Sequence, residues 1–280
     1  MEFIATLILS VIIPGLGMLK KSLTIPGAIF AFATAMLHFA PGLTPAIYVS
    51  TFFITSSALT KVGKQKKKTI EATYAKESVR GVEQVFCNSL IPSICCLLIY
   101  FMKGTYKIEY CNTPTTLETL IYGMIPGFYS CTNGDTWSSE IGVLSKTQPF
   151  HLTLFKRVPT GTNGGVSLVG VVAGLLGSLL IGTIAALSQT LICGFEVHSA
   201  FLVLTSVTIS GVIGNFLDSL IGGTLQYSGW DNVNKRVVRE NGENVTRICG
   251  QDILSNSMVN LITSTISGVI CATLFVYFSL

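Results

Sequence analysis

Charge is what this sequence lacks. Only 11% of its 280 residues are Asp, Glu, Lys or Arg, about half the share of a soluble domain. With 49% apolar residues and a mean hydropathy of +0.62, such a chain cannot cover a water-facing surface, which excludes a soluble globular enzyme. No pair among the eight cysteines has the spacing of a zinc or redox motif, so they read as small apolar fillers. No Gly-Lys-Ser/Thr follows the glycine-rich stretch around Gly164, which excludes a P-loop. A basic cluster is missing ahead of the first apolar run, and no small-x-small cleavage site follows it. That run is therefore expected to stay as a helix and not to be removed as a secretory signal.

Long apolar stretches are present instead. A membrane helix needs roughly 20 mostly apolar residues that satisfy their own backbone hydrogen bonds. Stretches near 3–19, 23–40, 45–60, 85–102, 117–131, 166–189, 200–226 and 257–280 meet that description, the fifth being short and interrupted by Pro126 and Gly127. The expected fold is an all-α polytopic membrane protein, a bundle of about seven or eight transmembrane helices in one domain spanning 1–280. Threading eight spans puts four basic groups on one side: Lys20 and Lys21; Lys61 to Arg80; Lys146, Lys156 and Arg157; and Lys235 to Arg247. Only Lys103 and Lys107 fall opposite. Short loops rich in Lys and Arg stay cytoplasmic, so the loops 61–84, 132–165 and 227–256 are expected in the cytosol and the termini across the membrane. The acceptor tripeptide at Asn244 is then expected to stay unglycosylated.

Gly170, Gly174 and Gly177, and likewise Gly211, Gly214 and Gly222, recur at helical spacing, the pattern of faces where membrane helices pack closely. Asp218 lies in one of these apolar runs, where a central Asp costs roughly 2.5 to 3.5 kcal/mol. An acid held there faces the bundle interior and binds a cation or proton, or else reaches headgroup water from the helix end. After the fifth span, Asp135 and Glu140 stand beside an Asn133-Gly134 turn among hydroxyl side chains. In an unbroken helix the two acids diverge by about 140°, so a shared ion needs a bend between them. Oxygen ligands of this kind suit Mg²⁺, which keeps water and phosphate in its shell.

Further on, Lys156 and Arg157 precede Thr162, Asn163, Gly164 and Gly165 at the mouth of the next span. Glycine lets backbone N–H groups approach an anion, the helix N-terminus adds a positive dipole end, and the basic pair adds fixed charge. Arg80, Gln84 and Asn88 share a helix face at the fourth span, and Asn256 and Asn260 do so at the last. The run Lys64 to Lys68 reads as a patch that binds lipid headgroups, without a catalytic part. Acids, amides, cations and glycines at the same ends of several spans suit phosphate and a divalent ion at the membrane surface.

Several blocks also resemble a known family. They are Arg80 with Gln84 to Asn88, Asp135 to Glu140, Val158 to Val166, Asp218 to Gln226, and Val259 with Asn260. In order and spacing, from about residue 60 to the last span, they look like the transmembrane protein 19 family, which includes plant phytyl-phosphate kinase. The resemblance implies a membrane enzyme that phosphorylates a prenyl monophosphate with CTP or another nucleoside triphosphate, using Mg²⁺. Asp135, Glu140, Arg157, Thr162, Asn163, Gly164, Gly165, Asp218, Asn256 and Asn260 match its polar positions, whereas Ser255 stands where relatives often have Asp.

On that reading Asp135 and Asp218 hold the metal. Arg157 and the 162–165 backbone neutralise the transferring group, and Glu140 positions water or acceptor. Arg80, Asn88, Lys156, Asn256 and Asn260 bind nucleotide or lipid phosphate. The expected partners are a nucleoside triphosphate, a prenyl monophosphate lipid and membrane lipids, with no nucleic acid, and the expected location is the endoplasmic reticulum membrane. The same parts would serve a cytidylyltransferase that forms a CDP-lipid. A transporter would instead use Asp218 as its coupling site.

Overall fold

The computed structural model describes residues 2–103 and 115–280; Lys107 and Cys111 lie outside the described residues. The chain begins with α1 (Glu2–Leu19), α2 (Ile25–Phe39) and α3 (Leu43–Lys61), followed by the short helices α4 (Lys64–Ile70), α5 (Tyr74–Glu77) and α6 (Val82–Cys87). Longer helices α7 (Leu90–Lys103), α8 (Thr116–Gly142), α9 (Leu168–Cys193), α10 (Val197–Leu225) and α11 (Asn256–Phe278) complete the helical part. Among the described residues α3, α9, α10 and α11 are long and apolar enough to cross a membrane, and Leu7–Leu19, Ile25–Phe39 and Leu90–Met102 are shorter apolar helices.

Local sequence sets the helix starts. Thr24 caps α2 by accepting from Gly27 N at 3.1 Å, with Pro26 in the first turn, where its missing N–H costs nothing. Thr115 and Glu118 form a reciprocal capping box at α8. Ser167 and Ser255 cap α9 and α11. A cap needs only a short side chain with an acceptor oxygen, so Ser255 does there what Asp would do.

The architecture departs from an all-α bundle in two connections. Between α8 and α9 lie β1 (Phe150–His151), β2 (Lys156–Arg157) and β3 (Gly165–Val166), ordered β2-β1-β3 and antiparallel. Between α10 and α11 lie β4 (Ser228–Asp231), β5 (Arg236–Val238) and β6 (Val245–Cys249), ordered β5-β4-β6. The expected loop from residue 132 is also partly helix, because α8 runs on to Gly142 through Pro126 and Asn133-Gly134. Those two residues are packing elements here, not a turn. Asn133 Nδ2 donates to Gly177 O at 2.8 Å and its Oδ1 accepts from Thr55 at 3.0 Å, while a Cβ on Gly134 would stand 2.9 Å from Gly174 O.

Helix α8 is the axis of the bundle, packed against α3, α7, α9, α10 and α11. Around it Tyr48, Phe52, Ile125, Phe128, Tyr129, Ile181 and Val207 form the main apolar core. Between membrane helices such side chains stabilise through close van der Waals packing and not through removal from water. Cys87, Cys95, Cys96, Cys131, Cys249 and Cys271 are free and buried, as fillers are. Cys193 departs from that reading, since it is disulfide-bonded. It ends α9 at the opposite end of the bundle from both sheets.

Candidate active site

A polar cavity of about 260 Å³ opens at the sheet-bearing end, close to the lower bound of small-molecule sites. Helix α8 supplies Asp135, Ser138, Ser139 and Glu140, and α10 supplies Asn215, Asp218, Ser219 and Gly222, which share one face at helical spacing. Asn256 and Asn260 project from the first turns of α11. The loop 160–165 forms one wall, and the segment from Lys67 to Asn88 the other.

Of the residues expected at the site, Asp135, Glu140, Asp218, Arg80, Asn88, Thr162, Asn163, Gly164, Gly165, Asn256 and Asn260 line this cavity. Lys156 and Arg157 do not. They lie exposed on β2, and Arg157 Nη1 donates to Gln148 O at 2.7 Å. The sheet explains the difference. Folding 150–166 into antiparallel strands turns the basic pair outward and carries only the following glycine loop inward.

That loop is itself braced. The N–H groups of Thr162, Asn163 and Gly165 already donate to Pro159 O, Ser228 Oγ and Thr162 O, so they do not form the expected anion cradle. Gly164 has φ +74°, and a Cβ there would stand 2.6 Å from Gly223 Cα and 2.8 Å from Ser219 O. Only glycine can hold this backbone against α10.

Four of the five acids that line the cavity, all but Glu77, fall into two kinds. Glu140 is neutralised: Oε2 accepts from Lys67 Nζ at 2.6 Å and Oε1 from Thr60 Oγ1 at 2.6 Å. Lys67 is only 1% exposed, donates also to Leu59 O at 2.9 Å, and sits 5.8 Å from the Tyr74 ring centroid. Glu71 is paired with Arg239, whose guanidinium also reaches Asn163 Oδ1. Burial pushes the Glu71 carboxyl above its ordinary value, against the pull of the Arg239 charge.

Among the described residues Asp135 and Asp218 have no such cation. They act on each other electrostatically across the cavity. Asp218 Oδ2 accepts from Thr263 at 3.1 Å and, with the Asn260 amide turned to donate, from Asn260 at 3.3 Å. Among the described residues Asp135 has no hydrogen-bond donor, and no group of three or more His, Cys, Asp or Glu side chains is placed to hold a metal. The donor set is two carboxylates beside the amides of Asn215 and Asn260. That fits Mg²⁺, which binds through one or two carboxylates and completes its shell with water and phosphate.

Sequence reasoning missed Lys67, Glu71, Tyr74, Asn215, Gln226 and Arg239. Lys67, Glu71 and Tyr74 carry a faint signal, since their spacing of four and three puts them on one face if the helix continues. The basic run around Lys67 hides it. Arg239 has none, because it follows a three-residue strand whose pairing alone directs it inward.

A family model described as integral membrane protein DUF92 matches residues 8–268. Protein PGR of Arabidopsis thaliana is 36% identical over 92% of this chain and 91% of its own length. An uncharacterized membrane protein of Methanocaldococcus jannaschii is 28% identical over 84% of the chain and 77% of its own. Protein VTE6, chloroplastic, of Arabidopsis thaliana is 28% identical over 78% of the chain and 61% of its own. No solved structure matches.

Proposed function

The chain belongs to the DUF92 family of integral membrane proteins, and from that membership and its polar cavity we propose that it is a membrane-embedded kinase. The donor is CTP or another nucleoside triphosphate, and the acceptor is a prenyl monophosphate such as phytyl phosphate. The likeness to VTE6 and to the family that includes phytyl-phosphate kinase supports this reading. The observation that carries it is that Asp135 and Asp218 line one cavity together and, among the described residues, lack the cation partners that Glu140 and Glu71 have.

In the transfer, an oxygen of the acceptor phosphate forms a bond to the γ-phosphorus. The bond from that phosphorus to the β,γ-bridging oxygen breaks, and its electron pair leaves with the nucleoside diphosphate. The attacking oxygen is already anionic, so no strong base is required. Catalysis is then positioning and charge stabilisation. Asp135 and Asp218 would hold Mg²⁺, which when bound neutralises charge on the donor phosphates. Arg80 supplies fixed positive charge at the cavity wall, and the Asn256 amide orients phosphate oxygens; Arg239, paired with Glu71, holds Asn163 in place, and Asn260 holds Asp218. Glu140, held by Lys67 and Thr60, braces the wall and does not contact substrate.

The proposed topology has eight spans, with the short α1, α2 and α7 crossing beside the longer helices and the cavity in the cytosol. The endoplasmic reticulum is the proposed membrane. The Cys193 disulfide supports an oxidising compartment at the far end.

The test incubates purified protein with Mg²⁺, labelled CTP and a panel of prenyl monophosphates. Prenyl diphosphate and CDP are the expected products, with Asp135→Asn and Asp218→Asn each lowering kcat at least a hundredfold, as loss of a metal-holding charge does. Release of pyrophosphate with a CDP-lipid would replace the kinase with a cytidylyltransferase. Absence of any transfer across nucleotides and acceptors would remove the enzyme reading.

A further inference from the structure

A second cavity, of about 60 Å³, lies between α1, α2, α3 and α6. Its walls include Pro14 of α1, Ala31 and Ala35 of α2, and Phe52 and Phe53 of α3. Ala31, Thr34 and Ala35 share one face of α2, and their small size makes the room. The Thr34 hydroxyl is bonded to Ser89 Oγ at 3.3 Å, so it leaves that face apolar. Arg80, Gln84 and Asn88 line this cavity and the polar one alike. The two spaces therefore share a polar wall, with charge on one side of it and hydrocarbon on the other.

That wall carries unused hydrogen-bonding capacity. Arg80 Nη1 donates to Ser57 Oγ at 2.8 Å, and the guanidinium carbon sits 5.8 Å from the Phe53 ring centroid. Among the described residues its Nε and Nη2 have no protein acceptor. Asn88 Oδ1 is buried without a partner, and a buried amide left unsatisfied calls for a missing group. Among the described residues its Nδ2 makes no hydrogen bond either, so the amide also has free N–H donors. An arginine fork and an amide at one point match the oxygens of a monophosphate.

From this geometry we infer that the apolar cavity seats the phosphate-proximal part of the acceptor's hydrocarbon tail, while Arg80 and Asn88 grip the phosphate that joins tail to head. The inference rests on the kinase reading for the identity of the acceptor. At about 10–15 Å³ for each water-sized sphere the volume takes about four to six of them, so the site holds the first isoprene unit and not the whole tail. Selectivity then lies in the structure next to the phosphate, and acceptors of different total length bind alike.

Filling the cavity tests this. Ala31→Phe, and Ser50→Phe as an independent filling from the α3 side, are expected to raise KM for prenyl monophosphates on the order of tenfold, the loss of about two methylenes of burial. The rise is expected to be similar for five-carbon and twenty-carbon tails, with the KM for nucleotide unchanged. In parallel, a prenyl monophosphate carrying a diazirine on its first isoprene unit is photolysed with the full-length protein. Cross-links are expected within residues 31–35 or 49–53 and are lost in the filled variants.

Transfer activity with cross-links elsewhere, or folded variants whose acceptor KM does not change, would overturn the tail site while leaving the kinase standing. Cross-links in the expected segments without phosphoryl transfer to any acceptor would do the reverse. A protein that neither transfers nor cross-links would overturn both.

Discussion

Lys67 and Glu140 show how much a single buried charge can decide. Each neutralises the other at 2.6 Å in a place where water reaches little of either side chain. Removing one partner of such a pair leaves the other uncompensated and costs about 3–5 kcal/mol, whereas replacing both with apolar groups is often neutral. Lys67→Met and Glu140→Gln are therefore each expected to lower the Tm of the purified protein clearly, and Lys67→Met with Glu140→Leu to recover most of the loss. Destabilisation by the double variant equal to the sum of the two single effects would show that the pair is not a coupled unit. The residues that set up the chemistry differ in how visible they are in sequence. Asp218 is legible because an acid within an apolar run needs a reason, and Ser255 because it precedes a helix. Lys67 is not, because a lysine among lysines is read as solvated until the fold turns one of them inward.

At the scale of elements, the glycines decide where α8 and α9 meet. A Cβ on Gly177 would stand 3.0 Å from Trp137 Cγ and 3.1 Å from Gly134 Cα, and one on Gly170 would stand 3.1 Å from Ser138 O. The same α8 turns carry Asp135 and Glu140, so the seam sets the position of the acids relative to α10. Forcing a side chain into it costs about 1–3 kcal/mol by overpacking and pushes α8 outward. Gly177→Leu is expected to lower both Tm and transfer activity. Gly15→Leu, where a Cβ meets nothing within 4 Å, is expected to leave both unchanged, within about 0.5 kcal/mol in stability. The glycine periodicity reveals this seam in sequence, and the structure fills it with helix contacts, leaving no room there for a lipid tail. Two elements are not legible. The strands of two to five residues are too short to show an alternating pattern. The persistence of α8 through Asn133-Gly134 reverses the usual turn reading, because a buried backbone without water keeps its helical hydrogen bonds.

For the whole molecule, the question is which compartment the cavity faces. Every connection that builds it lies at one end: the segment between α3 and α7, and the sheets that follow α8 and α10. The link between α2 and α3 and the disulfide-bonded end of α9 lie at the other. Nearly all the basic residues fall at the cavity end, and lysine and arginine resist translocation; a nucleotide donor is also cytosolic. In sealed microsomes, Lys146→Cys and Glu243→Cys, both at exposed positions on the sheet-bearing connections, are therefore expected to react with a membrane-impermeant maleimide. Ala40→Cys, exposed at the opposite end, is expected to react only after detergent. The free cysteines among the described residues are buried and contribute little background. Asn244 is expected to carry no glycan, and its mass would be unchanged by glycosidase. The reverse labelling pattern would put the cavity in the lumen, away from the nucleotide pool, and a kinase could not work there.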